Sequence, residues 1–150
     1  MFITAILKAK GDAVVTVRPD DAITDTAKLL KEKRIGAAVV TSPADGLNEQ
    51  IVGMISERDI VCALGELGQD IVGKKVRDLM TPDVITCQKN HTAEYLMDAM
   101  TRHRIRHLPV IEKNKLIGLV SIGDVVKARL AELQIESDQM HQYISGEQRA

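Results

Sequence analysis

Two short stretches hold the residues best suited to chemistry. Gly53-Met54-Ile55-Ser56-Glu57-Arg58-Asp59 and Gly118-Leu119-Val120-Ser121-Ile122-Gly123-Asp124 share the pattern Gly-x-x-Ser-x-x-Asp. In each, an apolar strand-like run feeds a segment with helical spacing. The glycine lets another group approach the backbone. The serine stands at a helix N-cap, where free N–H groups and the positive end of the helix dipole favour an anion. The aspartate falls in the first turn, where its carboxylate can accept hydrogen bonds from two adjacent hydroxyls, such as a ribose 2′- and 3′-OH. The same spacing is that of a capping box, a serine with an acid three residues on and a purely structural role. One copy alone reads as the cap; two copies favour a ligand.

The elements that must position these stretches are themselves repeated. Val15-Thr16-Val17 opens a segment running through Ile23, Ala27, Leu30 and Arg34-Ile35 to Val40. Ile85-Thr86-Cys87 opens its counterpart, through Ala93, Met97, Met100 and Arg104-Ile105 to Val110, at a constant offset of 70. At the two aspartates the offset is 65, so the first copy carries five extra residues, assigned to a Ser42–Gln50 loop containing the turn cluster Ser42-Pro43-Ala44-Asp45-Gly46. Periodicity predicts a strand at Val14–Val17, a helix from Ile23 that Gly36 breaks, strands at Ala37–Thr41 and Ile51–Ile55, and a helix from Ser56 toward Leu67. The second copy repeats this order at Val84–Cys87, Thr92–His103, His107–Ile111, Leu116–Val120 and a final helix from about Ile122. Ile6–Lys10 and Val76–Met80 form similar lead-ins. Each copy is too small to bury its own apolar face, so the two are expected to pack together and leave a cleft. Beyond the second copy, Val126, Leu130, Leu133, Ser137, Met140 and Ile144 make a heptad-like stripe that must be buried against the body or another subunit.

Composition narrows the function. The chain has 150 residues, is 45% hydrophobic and carries a formal net charge of −1, which gives no drive toward nucleic acid or an anionic membrane. Aromatics make up 2% with no Trp, too few to stack single-stranded bases. Arg102-His103-Arg104 ends a helix, where cations complement the dipole. His91, His103, His107 and His141 lack metal-ligand spacing, and no nucleophile–base pair stands out. Cys62 and Cys87 fit no metal or redox motif and read as reduced, buried thiols. Met1–Lys8 has only a brief apolar run without a basic region before it, and no segment is long enough to span a membrane, so the cytoplasm is the expected compartment.

With these motifs together, twice and in order, the chain resembles a stand-alone pair of cystathionine-β-synthase-type (CBS) domains, a Bateman module, over about Ile6 to Leu133. The carrying residues are the Val15-Thr16-Val17 and Ile85-Thr86 openings, Arg104-Ile105-Arg106-His107-Leu108-Pro109-Val110, and the two Gly-x-x-Ser-x-x-Asp endings. The resemblance implies an α/β fold of two β-α-β-β-α repeats related by a pseudo-two-fold axis, with a C-terminal helical extension. Its divisions would be residues 6–68 and 84–133 for the domains, 69–83 for a linker and 134–150 for the tail. It implies a non-catalytic, regulatory module sensing an adenosine-containing ligand (AMP, ADP, ATP or NAD(H)) in clefts between the copies, and a homodimer acting on an unknown partner protein. The alternative is a structural dimerisation or adaptor module with an empty cleft. By the resemblance, one site combines Met54, Ser56, Arg58, Asp59, Thr81, Val84, Arg106, His107 and Pro109. The other combines Lys10, Asp12, Val14, Ala37, Ala38, Ser121 and Asp124. The cationic groups collect on the Asp59 side, which is therefore expected to bind phosphate better.

Overall fold

A computed structural model describes residues 2–11, 14–44 and 48–148. In chain order they form α1 (Ile3–Lys10), β1 (Thr16–Val17), α2 (Ile23–Lys33), β2 (Ala37–Ala44), β3 (Asn48–Ser56), α3 (Glu57–Leu67), a 3-10 turn (Gly68–Gly73), α4 (Val76–Leu79), α5 (Ala93–His103), β4 (His107–Glu112), β5 (Lys115–Ser121) and α6 (Ile122–Gln148). The first repeat shows the expected strand–helix–strand–strand–helix order in full; the second shows it without its first strand and ends in a long C-terminal helix.

The chain forms two compact units, each assembled from separated segments. One contains Met1–Asp12, Cys87–Val110 and Gly118–Ala150; the other contains Ala13–Thr86 and Ile111–Ile117. In the second unit, β1, β2 and β3 lie side by side in that order, β1–β2 parallel and β2–β3 antiparallel. Its core is Val17, Ile23, Leu30, Ala38, Val40, Ile55, Ala63, Ile71 and Val76. Ile71 and Val76 come from the segment between the repeats, so its 3-10 turn and α4 are anchored by apolar burial. In the first unit Ile3, Ile6, Leu96, Met100, Leu108, Val120 and Val125 are buried.

Local chemistry explains several departures from expectation. Helix α2 ends at Arg34 rather than at Gly36, and α5 ends at Arg104; both arginines are left-handed, with φ of 55° and 54°. The following isoleucines close Schellman-type turns, Ile35 N–H donating to Leu30 O at 3.1 Å and Ile105 N–H to Met100 O at 3.0 Å. The expected strand Val84–Cys87 is reduced to one parallel bridge, Cys87 with Val110. In the first repeat Val39 N–H donates to Val15 O at 3.4 Å. The residue 70 positions after Val39 is Pro109, which has no N–H to donate. The extra residues of the first repeat extend its hairpin: past an irregularity at Val40/Thr41, pairing continues through Pro43 with Glu49 and Ala44 with Asn48. Pro43 is tolerated because β1 pairs only as far as Val40, leaving β2 a free edge there. Strands β4 and β5 need only the two-residue turn Lys113-Asn114, both at positive φ.

Candidate functional site

Both serine–aspartate pairs sit at a strand-to-helix junction, and the backbone explains why. Ser56 pairs with Ala37 at the end of the β2–β3 ladder, and its extended conformation (φ −123°, ψ 163°) turns the chain into α3. Glu57 N–H then donates to Gly36 O at 2.9 Å. At the second junction Ile122 N–H donates to Arg106 O at 2.8 Å. Gly36 and Arg106 are separated by the repeat offset of 70, and Glu57 and Ile122 by that of 65, so the two junctions are built alike.

At Asp59 the capping box is complete. Asp59 N–H donates to Ser56 Oγ at 3.2 Å, while Ser56 N–H and Oγ–H donate to Asp59 Oδ2 at 2.9 and 3.0 Å. The N–H groups of Glu57 and Asp59 are thus consumed within the protein, and the helix end is less free for an anion than its sequence implies. The cap fixes the carboxylate through Oδ2; Oδ1 makes no hydrogen bond to a described residue. Met54 and Thr81 are joined by a two-way backbone bridge, both bonds 2.9 Å. The glycine of the motif serves packing: a Cβ on Gly53 would meet Met80 Sδ at 2.7 Å and Thr81 O at 3.0 Å. Arg58 is exposed and Val84 half-buried in this unit. Arg106, His107 and Pro109 lie in the other unit, exposed, half-buried and buried respectively.

At Asp124 the serine bonds recur, with Ser121 N–H and Oγ–H each 2.9 Å from Oδ2 and Asp124 N–H 3.2 Å from Ser121 Oγ. A third donor is added. Lys10 Nζ, from the C-terminal end of α1, lies 2.7 Å from the same Oδ2 and donates to Leu119 O at 2.8 Å. Burial alone would raise the Asp124 pKa. The bonds from Lys10 and Ser121, with the lysine's charge, outweigh it and hold the carboxyl below its ordinary value. Gly118 is again a packing glycine, its Cβ position only 2.5 Å from Leu7 Cδ2. Ala37, Ala38 and Val14 belong to the other unit, the alanines buried on β2; Asp12 lies outside the described residues.

The CBS domain family matches the sequence twice, at residues 11–66 and 76–131. The chain belongs to the CBS domain family. It is 35% identical to the mitochondrial CBS domain-containing protein CBSX3 of Arabidopsis thaliana, over 96% of this chain and 72% of that one. Among solved structures it resembles the CBS-domain protein ATU1752 of Agrobacterium tumefaciens, with a TM-score of 0.79, 45% identity and coverage of 85% and 92% of the two chains. It also shares its fold with the CBS domain pair of protein MJ0100, solved in complex with 5′-methylthioadenosine and S-adenosyl-L-methionine. There the TM-score is 0.74 at 22% identity, over 88% of this chain and 98% of that one.

Against this CBS framework, one sequence reading changes and another narrows. Cys62 is exposed, because the inward face of α3 is Ile60, Ala63 and Leu67 and position 62 falls on the far side of the helix. Cys87 is the buried thiol; desolvation pushes its pKa up to about 12, and its S–H lies 3.6 Å from Pro109 O. The α6 stripe does not pack on its own unit. Leu130 and Met140 are 62% and 63% exposed, while the buried face is one register away, at Val125 and Ala128. The role of Leu119 as a carbonyl acceptor for Lys10 was not read from sequence, because a backbone oxygen leaves no residue signature. No described helix is long and apolar enough to cross a membrane.

Proposed function

We propose that this CBS pair is a regulatory module that binds an adenosine-containing ligand such as AMP, ADP, ATP or NAD(H). Binding changes the geometry of its dimer or of a partner protein, and it does so through differential affinity for the two geometries. The observation that carries the reading is Asp59: a carboxylate oriented through Oδ2 by Ser56, with Oδ1 left to accept the hydroxyls of a ribose. The MJ0100 complex, with two adenosine-containing molecules, supports the ligand class. Met54, Thr81, Val84 and Pro109 are assigned to the base, and Arg58, Arg106 and His107 to phosphate. A second ligand is assigned to Asp124 and Ser121 with Lys10, Asp12, Val14, Ala37 and Ala38. The role is binding rather than catalysis, since each serine hydroxyl is committed to its cap. The cytoplasm is the compartment we favour.

Mass spectrometry of small molecules released from the denatured, purified protein tests the reading, alongside a thermal-shift panel. A ligand at about 100 times its Kd adds about 2.7 kcal/mol, an increase in Tm on the order of 5–10 °C for a chain of this size. No released adenosine compound and no shift with AMP, ADP, ATP, NAD(H) or S-adenosyl-L-methionine would leave the structural dimerisation module as the function.

The exposed stripe on α6 favours a homodimer in either case. Val126, Leu130, Leu133, Met140 and Ile144 share one face and are all exposed in the single chain; a second copy, carrying the same stripe, covers them by helix pairing. Deleting residues 141–150 is expected to weaken the dimer without unfolding either unit. A monomer for the intact chain at micromolar concentration, by sedimentation, would refute the assembly.

A further inference from the structure

The two aspartates are not equivalent, and the difference lies in one side chain of the first unit. We infer that Lys10 is an internal counter-ion that makes the Asp124 site selective for phosphorylated nucleosides over uncharged ones; this rests on the proposed binding of adenosine compounds. Lys10 Nζ holds Asp124 Oδ2 at 2.7 Å and Leu119 O at 2.8 Å, so Oδ2 already receives three donors, two from Ser121 and one from the lysine. The capacity of Oδ2 is exhausted and, as at Asp59, the cap leaves Oδ1 to accept; here the lysine also compensates the charge, which weakens Oδ1 as an acceptor for ribose hydroxyls.

The position equivalent to Lys10 at the repeat offset of 70 is Met80, and that equivalent to Leu119 at the offset of 65 is Met54. In the second unit Met54 O is taken by the backbone N–H of Thr81 at 2.9 Å, and Met80 packs over Gly53. The work that a backbone bridge does there is done in the first unit by a charged side chain, 39% exposed. Asp59 consequently has no lysine to displace among the described residues. Lys10 is followed by Gly11 at φ 96°, and an amine at the end of a flexible stem can exchange one anionic partner for another. An uncharged nucleoside asks the lysine to give up its carboxylate with nothing in return. A phosphate offers a replacement charge-assisted bond, worth about ten- to 150-fold in affinity.

The test is calorimetry with adenosine and with AMP, in the Asp59→Ala background, which weakens the other site roughly 10- to 150-fold and leaves the Asp124 site to dominate. AMP is expected to bind more tightly than adenosine. Adding Lys10→Met should cut the AMP-to-adenosine affinity ratio about tenfold or more, by weakening AMP while adenosine is unchanged or tighter, and Lys10→Arg should keep most of the ratio. An unchanged ratio in Lys10→Met overturns the inference. So does loss of all binding in Asp59→Ala when the wild type binds one equivalent, because Asp124 then holds no ligand; that outcome leaves the proposed function standing. Absence of binding by the wild type to either compound refutes both.

Discussion

Replacing Asp59 by alanine separates the two roles that its carboxylate combines. The structural role is visible in the cap: Ser56 N–H and Oγ–H donate to Oδ2 at 2.9 and 3.0 Å. Losing an N-terminal capping interaction costs about 0.5–2 kcal/mol, and losing a negative charge from the first turn a further ~0.3–1 kcal/mol at low salt. Asp59→Ala is therefore expected to lower unfolding stability by about 1–3 kcal/mol, a drop in Tm of roughly 2–12 °C for a chain of this size. The binding role is independent of this. Hydrogen bonds from ribose to an ionised carboxylate contribute about 1.5–3 kcal/mol, so the folded variant should lose roughly 10- to 150-fold in affinity for AMP. Asp59→Asn distinguishes the roles, since its amide oxygen still accepts from Ser56 while the charge is gone. It should be nearly as stable as wild type yet bind AMP substantially more weakly. Asp124→Ala, whose carboxylate is already shared with Lys10, should reduce AMP affinity far less than Asp59→Ala. Urea unfolding gives the stability arm and calorimetry the binding arm. Equal AMP affinity for wild type and Asp59→Ala would refute Asp59 as the principal ribose ligand.

Gly118→Ala places a methyl 2.5 Å from Leu7 Cδ2, a buried side chain, and overpacking of this kind costs about 1–3 kcal/mol; wild-type stability in urea would show that Leu7 moves freely. For the thiols, a colourimetric reagent at pH 8 should titrate Cys62 at once and Cys87 only after denaturation, since burial pushes Cys87 up to about 12; rapid reaction of both would contradict that burial. The Lys10–Asp124 pair should make stability depend on pH. Because the folded carboxyl titrates below its unfolded value of about 3.9, its contribution is present above that value and lost as pH falls through the folded one. The pair is partly exposed, so Lys10→Met should cost only about 0.2–1 kcal/mol at pH 7, a deficit that fades as acid protonates the folded carboxyl. A deficit that stays constant as pH falls, measured by urea unfolding, would argue against the ion pair.

Much of this molecule was legible before its coordinates because its signals are local. The helical spacing of Ile23, Ala27 and Leu30, the β-branched run at Val15-Thr16-Val17 and the serine three residues before each aspartate need only their neighbours to be interpreted. A capping box is closed within four residues, so its geometry follows from spacing alone. Repetition supplied the rest, since a pattern seen twice at a constant offset declares a unit.

What only the tertiary structure decided involves partners distant in the chain. Pro109 shortens the second repeat's first strand because the missing N–H matters only where Val39 in the other copy shows what it would have bonded. The motif glycines were expected to let another group approach the backbone, but only the fold shows that the groups are Leu7 and Met80, each brought there from a separate segment. Sequence left the α6 stripe a choice between the body and another subunit; the helix turns Val125 and Ala128 toward the body, which removes the first, and a rotation of one residue about a helix is invisible to periodicity when apolar residues lie on both faces. Lys10 and Asp124 are 114 residues apart in sequence. Their pairing depends on α1 folding with the second repeat rather than the first. That choice is made by the burial of Ile3, Ile6 and Leu7 in a unit assembled from both ends of the chain, and no window of sequence contains it.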